Sequence, residues 1–386
     1  MKKKILFVIP DFYIGGTNKS LENLITLLDC DRYDFHIFSL YNEGDNYFKQ
    51  LFGKYCVRKS LLYSIAHDNF WTRKIIRVFA KCLGIDINTI IYKYEINYIQ
   101  RKYNFHTVIA YQEATSTYVV SLLNEKIHKI AWIHCDYLYR LSFIGSSNDV
   151  IQREAFLYNK FHSIVCVSNS ARESFVKIHH QLAGRTTFIY NSLNVDKIFN
   201  LAKKEKVCDF DITQFNILSV GRFSPGKQFH LIPKIASELL QKGIMNFRWY
   251  IIASTSQDEK RTVMEIKKYG VMDKVILLGA KSNPYPYFMQ SNLQVCLSQS
   301  ESFSYVIAES KVLHIPVLCN DFPVAREVVS ASDGWVCPIE EMPRLLAQII
   351  TNDNSIYSDG VSELIDYKYN NGVIVDKIEE LINIKS

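Results

Sequence analysis

Two short stretches carry most of the reactive side chains. In "VGRFSPGKQ", residues 220–228, Arg222 and Lys227 stand five positions apart around Ser224, Pro225 and Gly226. Arginine offers a planar fork of donors and lysine a compact charge, so the pair could clamp a diphosphate from two sides. In "SESFSYVIAES", residues 300–310, Glu301 and Glu309 bracket an apolar run. If Ser302–Ser304 open a helix, their amides suit phosphate oxygens, and Glu309 follows about two turns later. Carboxylates suit hydroxyl groups, because each accepts several hydrogen bonds. One ligand bearing both phosphates and sugar hydroxyls would use all four groups. Taken singly, the same residues describe a solvated basic loop and two ordinary helix glutamates, Glu301 being favoured near the N-terminus by the helix dipole.

A third stretch, "IGG" at 14–16, places Gly15 and Gly16 directly after the first apolar run. Glycines at a strand-to-helix turn let backbone N–H groups approach an anion or a sugar closely. The G-x-G-x-x-G pattern is absent, which argues against a nicotinamide cofactor. A fourth, "FWTRKIIRVFAKCL" at 70–83, sets Arg73, Lys74, Arg77 and Lys81 in one arc of a helical wheel, with apolar residues opposite. Residues 54–104 hold ten lysines and arginines against three acids. Such a helix either packs on a core with a wet basic face or lies on an anionic membrane. A phosphate-bearing partner would suit it as well. His106, His162, His179 and His180 show no metal spacing; His179 and His180 are expected on a helix surface, and no metal is expected.

The elements that must position these residues follow from periodicity. "KKILFVIP" is a continuous apolar run bounded by Pro10 and Asp11, the pattern of a strand buried on both faces. Leu21, Leu24, Leu27 and Leu28 then recur at helical spacing. Further strands read at 105–112, 129–136, 163–172 and 186–194, and a second set at 215–224, 247–254, 274–280, 293–300 and 315–321. Strands alternating with helical patterns imply parallel, doubly wound sheets. The polar stretch between the sets divides the chain. The expected organisation is an N-terminal α/β domain (1–195), a linker (196–213) and a second α/β domain (214–372). A C-terminal helix (373–386) could pack back on the first domain.

Bulk properties agree with an ordinary two-domain globular protein. Of 386 residues, 48% are apolar and 22% charged, with a net charge of +6. Nine cysteines occur without any C-x-x-C pair, so no zinc knuckle is suggested and a reducing compartment is. Cys166, Cys296 and Cys319 lie in apolar runs and read as core. The apolar part of the N-terminus is too short for a signal peptide, and no run is long enough to span a bilayer. Nucleic-acid binding is not expected, because no exposed aromatic platform is interleaved with the basic residues.

The ordered set "VGRFSPGKQFHLIPKIASELLQKG", "VILLGA", "SESFSYVIAESKVLHIPVLCNDFPVAREVV" and "DGWVCP" resembles the nucleotide-binding domain of the family 4 retaining glycosyltransferases. "ILFVIPDFYIGGTNKSLENL" and "YNSLN" extend the resemblance over nearly the whole chain, most weakly between about 45 and 105. The resemblance implies an α/β GT-B architecture, two Rossmann-like doubly wound domains facing across a cleft. It implies that Arg222 and Lys227 bind the donor diphosphate and assist departure of the leaving group. Glu301 would hold hydroxyls of the transferred sugar, and Glu309 the ribose. Ser302, Phe303, Ser304 and Tyr305 would present amides to phosphate and sugar. Gly15 and Gly16 would let their loop approach the donor, and Ala280, Lys281, Ser282 and Asn283, with Pro284, would contact the base. His134, in "WIHCD", would lie near the sugar. Ser302 stands where the family has glycine, and "ASTSQDE" where it often has Gly-Asp-Gly.

The resulting expectation is a cytoplasmic enzyme, peripheral on the inner face of the cell membrane. It would move a sugar with retention, metal-independently and without a cofactor, from a nucleotide-sugar donor (a UDP-sugar) to a glycan, lipid-linked, in bacterial surface polysaccharide biosynthesis. The competing readings are a sugar-nucleotide epimerase of the same architecture and a catalytically silent scaffold subunit.

Overall fold

The apolar runs do form buried strands. The computed structural model describes residues 2–64, 74, 86–205, 210–351 and 371–383. The chain divides into two units, Met1–Ser192 with Asn370–Ser386, and Leu193–Tyr369.

The first unit holds six parallel strands: β1 (Lys3–Ile9), β2 (Tyr33–Ser39), β3 (Thr107–Ala110), β4 (His128–Ile133), β5 (Ser163–Cys166) and β6 (Thr186–Phe188). Their order is β2-β1-β3-β4-β5-β6. Five consecutive β1 residues, Ile5–Ile9, are fully buried, as a strand covered by helices on both faces must be. The order in which successive strands are added reverses between β1 and β3, so a crevice forms outside the carboxyl ends of those two parallel strands.

The second unit holds β7 (Phe215–Arg222), β8 (Phe247–Ser254), β9 (Val275–Gly279), β10 (Leu293–Cys296), β11 (Val317–Asn320) and β12 (Gly334–Cys337). Their order, β12-β11-β10-β7-β8-β9, is the doubly wound dinucleotide-fold arrangement, with its switch point between β7 and β10. Cys166, Cys296 and Cys319 are buried in the sheets.

Several local expectations are corrected. The strand read at 186–194 stops at Phe188, because Asn191 and Ser192 leave the sheet to bond the helix Gly16–Leu27. Asn191 Oδ1 accepts from Ser20 at 2.7 Å, and the Ser192 carbonyl accepts from Asn23 at 2.9 Å. The stretch read as a linker, 196–213, begins inside a helix, Val195–Ala202, whose Asn194 cap accepts from the Lys197 amide. That helix belongs to the second unit, and its Leu201 carbonyl accepts from Asn283 at 2.9 Å. β12, not read as a strand, pairs with β11 at the sheet edge. It requires Gly334, where a Cβ would lie 1.8 Å from the Val317 carbonyl oxygen. His179 is fully buried, not on a surface, because the helix Asn169–Ile178 ends just before it and its ring turns inward to Tyr137 OH at 2.9 Å.

The C-terminal helix Asn371–Asn383 lies in the first unit. Its Leu381 carbonyl contacts His128 Nε2 at 2.9 Å, and Ile374, Ile378 and Ile382 are buried at i, i+4 spacing. Of the basic helix read at 70–83, Arg73, Arg77 and Lys81 lie outside the described residues, and Lys74 is exposed. Among the described residues, no helix is long and apolar enough to cross a membrane.

Candidate functional site

The switch point of the second sheet is where Arg222, Lys227 and Glu301 meet. β7 ends at Arg222, whose side chain is exposed. The chain then tightens into a single turn, Pro225–Lys227, and reverses through Gln228 in the left-handed conformation (φ 53°). Phe229 is buried and anchors this loop. Its ring packs over Gly221, where a Cβ would come within 3.1 Å of it and within 3.6 Å of Lys227 Cε. Glycine at 221 therefore lets the lysine stem lie flat on the strand end. The Gln299 amide donates to the Gly226 carbonyl at 2.8 Å, tying this loop to the one after β10.

The Lys227 ammonium pairs with Glu301 Oε1, and Ser298 Oγ donates to the same oxygen at 2.7 Å. Burial lowers the Lys227 pKa, but the Glu301 charge outweighs it and the net shift is upward. Lys227 is therefore a fixed cation. Asn320 Nδ2 donates to the Ser298 carbonyl at 3.1 Å and so braces the turn that presents Glu301.

The helix after this turn starts later than expected. It runs Tyr305–Val312, and Ser304 before it is left-handed (φ 62°), so Ser302–Ser304 are loop. Glu309 consequently sits one turn into the helix, not two, which brings it closer to the loop amides. It is buried, and Tyr285 OH donates to its Oε1 at 3.1 Å. Phe303 is buried against the Tyr305 ring, with centroids 5.2 Å apart. Ala280–Asn283 follow β9 at Gly279, a left-handed glycine (φ 68°). Ala280 and Ser282 are exposed, the Lys281 ammonium lies 5.3 Å from the Tyr287 ring centroid, and Asn283 is tied to Leu201.

Two further groups support this site from behind. Lys311, two residues after Glu309, is buried and ion-paired with the buried Asp333 at 2.6 Å, while donating to the Val328 carbonyl at 3.0 Å. Burial of both charges makes the pair costly to break on one side only. It fixes the helix bearing Glu309 to the β12 edge.

In the first unit, Gly15, Gly16 and His134 also lie at carboxyl ends of strands, around the β1/β3 switch point. Asn18 Nδ2 donates to the carbonyls of Asp11 (3.2 Å) and Tyr13 (2.8 Å), and the loop carrying Gly15 is held by these bonds. Gly15 has extended backbone (φ 178°), and a Cβ there would meet nothing within 4 Å. Neither strain nor packing within the chain calls for glycine there. Glu113, after β3, accepts from the His134 amide at 3.0 Å. The His134 ring lies 4.8 Å from Tyr111, and burial pulls its pKa down to about 3, so it is neutral at physiological pH.

Sequence reading missed Ser298, Tyr285, Glu113 and the Lys311–Asp333 pair. Ser298 stands three residues before Glu301 and was legible as a polar residue closing an apolar strand. Tyr285 and Asp333 come from other elements, and nothing in their own spacing announced them. Among the described residues, no group of three or more His, Cys, Asp or Glu side chains could hold a metal ion.

Two parallel, doubly wound six-stranded sheets of this kind are the GT-B architecture of glycosyltransferases. A glycosyltransferase from Rickettsia africae shares it at a TM-score of 0.74 and 17% identity, over 99% of this chain and 98% of that one. Anabaena Alr3699/HepE, solved with UDP and glucose, aligns at a TM-score of 0.72 and 17% identity over 98% of each chain. Residues 202–356, within the second unit, match the model of the family described as glycosyl transferases group 1. A curated relative is the Campylobacter jejuni N-acetylgalactosamine-N,N'-diacetylbacillosaminyl-diphospho-undecaprenol 4-alpha-N-acetylgalactosaminyltransferase. It is 24% identical over 214 residues, 55% of this chain and 54% of the relative. The chain spans 54–64% of the length of the curated relatives it matches.

Proposed function

We propose that the protein is a metal-independent retaining glycosyltransferase of family 4. It transfers a sugar from a UDP-sugar to a lipid-linked glycan in surface polysaccharide synthesis. The observation that carries this reading is the Lys227–Glu301–Ser298 cluster at the β7/β10 switch point, with Arg222 beside it and Glu309 one turn into the following helix. A cation pair, a carboxylate and a helix N-terminus are the groups a nucleoside diphosphate-sugar needs. The Campylobacter relative and the Anabaena neighbour supply the acceptor and donor classes by analogy.

On this reading Arg222 and Lys227 hold the diphosphate, joined by the amides of Ser302–Tyr305. Glu309 accepts from the ribose hydroxyls, steadied by Tyr285. Glu301 accepts from hydroxyls of the transferred sugar while keeping Lys227 charged and aimed. Ala280–Asn283 meet the base. Gly15 and Gly16 leave space for the donor, and neutral His134, fixed by Glu113, faces the sugar.

The reaction is a front-face displacement. The acceptor hydroxyl forms a bond to the anomeric carbon as the bond to the diphosphate oxygen breaks. The electron pair leaves with that oxygen, and the acceptor proton passes to the same phosphate. Fixed cations and amides meeting the charge that develops on the diphosphate supply the acceleration. The acceptor side belongs to the first unit, with Arg73, Lys74, Arg77 and Lys81 drawing the protein to an anionic bilayer.

The test is transfer of a labelled sugar from a UDP-sugar panel to membrane lipid, with the anomeric configuration of the product read by NMR. Transfer with the donor's configuration kept supports the reading. An inverted product, or an epimerised donor released without acceptor, refutes it. Replacing Arg73, Lys74, Arg77 and Lys81 by Glu should release the protein from anionic vesicles; unchanged binding would refute the membrane role.

A further inference from the structure

A cavity of about 780 Å³ lies in the first unit, lined by none of the residues assigned above to the donor. One wall is the segment 55–60, which runs along the edge strand β2: the Ile37 amide donates to the Tyr55 carbonyl at 2.8 Å, and the Val57 amide to the Ile37 carbonyl at 2.9 Å. The other wall is the helix Ile87–Tyr103. The fully buried Glu95 joins the two walls, its carboxylate accepting from both the amide and the hydroxyl of Ser60. Among the described residues, the cavity lining carries three cations, Arg58, Lys59 and Lys102, and no acid.

Tyr94 and Tyr98, one turn apart on that helix, stack nearly parallel, with centroids 6.3 Å apart and planes at 8°. Tyr94 is 51% exposed. The Lys102 ammonium stands 5.6 Å from the Tyr98 ring centroid, and the Arg58 amide is pinned to Tyr103 OH at 3.1 Å. The tyrosine pair also lines a second cavity of about 690 Å³, which among the described residues adds Lys93 and Arg101 and again no acid. The two cavities thus form one cationic tract interrupted by a flat aromatic platform. An aromatic face is negative and attracts the polarised C–H groups of a sugar ring. Arginine and lysine side chains suit a phosphate pair. The size is that of a site for a small molecule.

We propose that this tract binds a glycosyl diphosphate, with the sugar on Tyr94 and Tyr98 and the diphosphate between Arg58 and Lys102. Resting on the functional reading above, the glycosyl diphosphate is that of the lipid-linked acceptor. Phe12, which lines the cavity, is three residues before Gly15, so the tract adjoins the glycine loop of the same unit.

The test is equilibrium binding to the full chain with UDP held at saturation, so that the donor site is occupied. The probes are inorganic pyrophosphate and N-acetylglucosamine linked through diphosphate to a short isoprenyl chain. Both should bind. Arg58→Ser with Lys102→Ser should weaken both by about tenfold or more, the loss expected for charge-assisted bonds. Tyr94→Ala with Tyr98→Ala should weaken only the glycosylated probe. All variants should keep the wild-type UDP affinity and melting temperature. Unchanged pyrophosphate binding in the double cation variant overturns the proposal, as does failure of the UDP-saturated wild type to bind either probe. Tighter binding of a second equivalent of UDP-N-acetylglucosamine than of the isoprenyl probe overturns the assignment to the acceptor. If the wild type does not bind UDP at all, the donor reading fails, and the two variants still decide the cavity.

Discussion

Replacing Lys227 by Met removes the charge and keeps most of the stem that lies on Gly221. The ion pair it breaks is neither exposed nor sealed: the Lys227 and Glu301 side chains are 26% and 15% exposed. Exposed pairs contribute roughly 0–1 kcal/mol and breaking sealed ones costs roughly 3–5 kcal/mol, so this loss should be about 1–2 kcal/mol. Glu301 retains its 2.7 Å bond from Ser298, which limits the damage. For a unit of this size that is a fall in melting temperature of roughly 2–8 °C. The effect on transfer should be much larger. Loss of one preorganised donor to developing negative charge costs about 10²–10³ in kcat. Sugar transfer and thermal unfolding measured on the same preparation separate the two effects. A variant that folds but keeps kcat within about threefold of wild type would refute the diphosphate role. Collapse of the fold would contradict the claim that Ser298 suffices to hold Glu301.

Other substitutions probe the supporting bonds. Tyr285→Phe removes the bond to Glu309 and should raise the donor KM several-fold at nearly constant kcat; a kcat effect alone would count against the ribose assignment. Lys311→Met leaves Asp333 buried and uncompensated and should cost about 3–5 kcal/mol by denaturant unfolding, much of it restored by adding Asp333→Asn. A single mutant as stable as wild type would refute the structural role of that pair. Burial lowers the pKa of His134, and also of His128 and His179. Their neutral forms are favoured by folding, so stability is full above pH 6.5 and falls as the pH drops toward the folded values, about 3 for His134. Each adds a slope of at most ~1.4 kcal/mol per pH unit, and His134→Gln should flatten the profile below pH 6.

How much the sequence disclosed depended on the range of the interactions. β1, β7 and β8 were legible because each is a run of apolar residues buried on both faces, a local pattern. The diphosphate pair was legible because Arg222 and Lys227 share one loop. The partners of the two glutamates were not. Lys227 reaches Glu301 across 74 positions, and Tyr285 reaches Glu309 across 24, through the adjacency of β7 and β10 and of neighbouring helices. Backbone detail was also hidden: a left-handed Ser304 delays the helix to Tyr305, although serine seldom adopts that conformation. The short edge strand β12 escaped notice because its fit depends on Gly334 passing under Val317.

The central claim is that the β7/β10 switch point holds a nucleoside diphosphate. Calorimetric titration of the full chain with UDP in the presence of EDTA tests it directly. The account predicts one equivalent bound by the wild type and none detectable once Lys227→Met and Glu309→Gln are combined. Equal binding by the double variant, or no binding of UDP, GDP or ADP by the wild type, would contradict it.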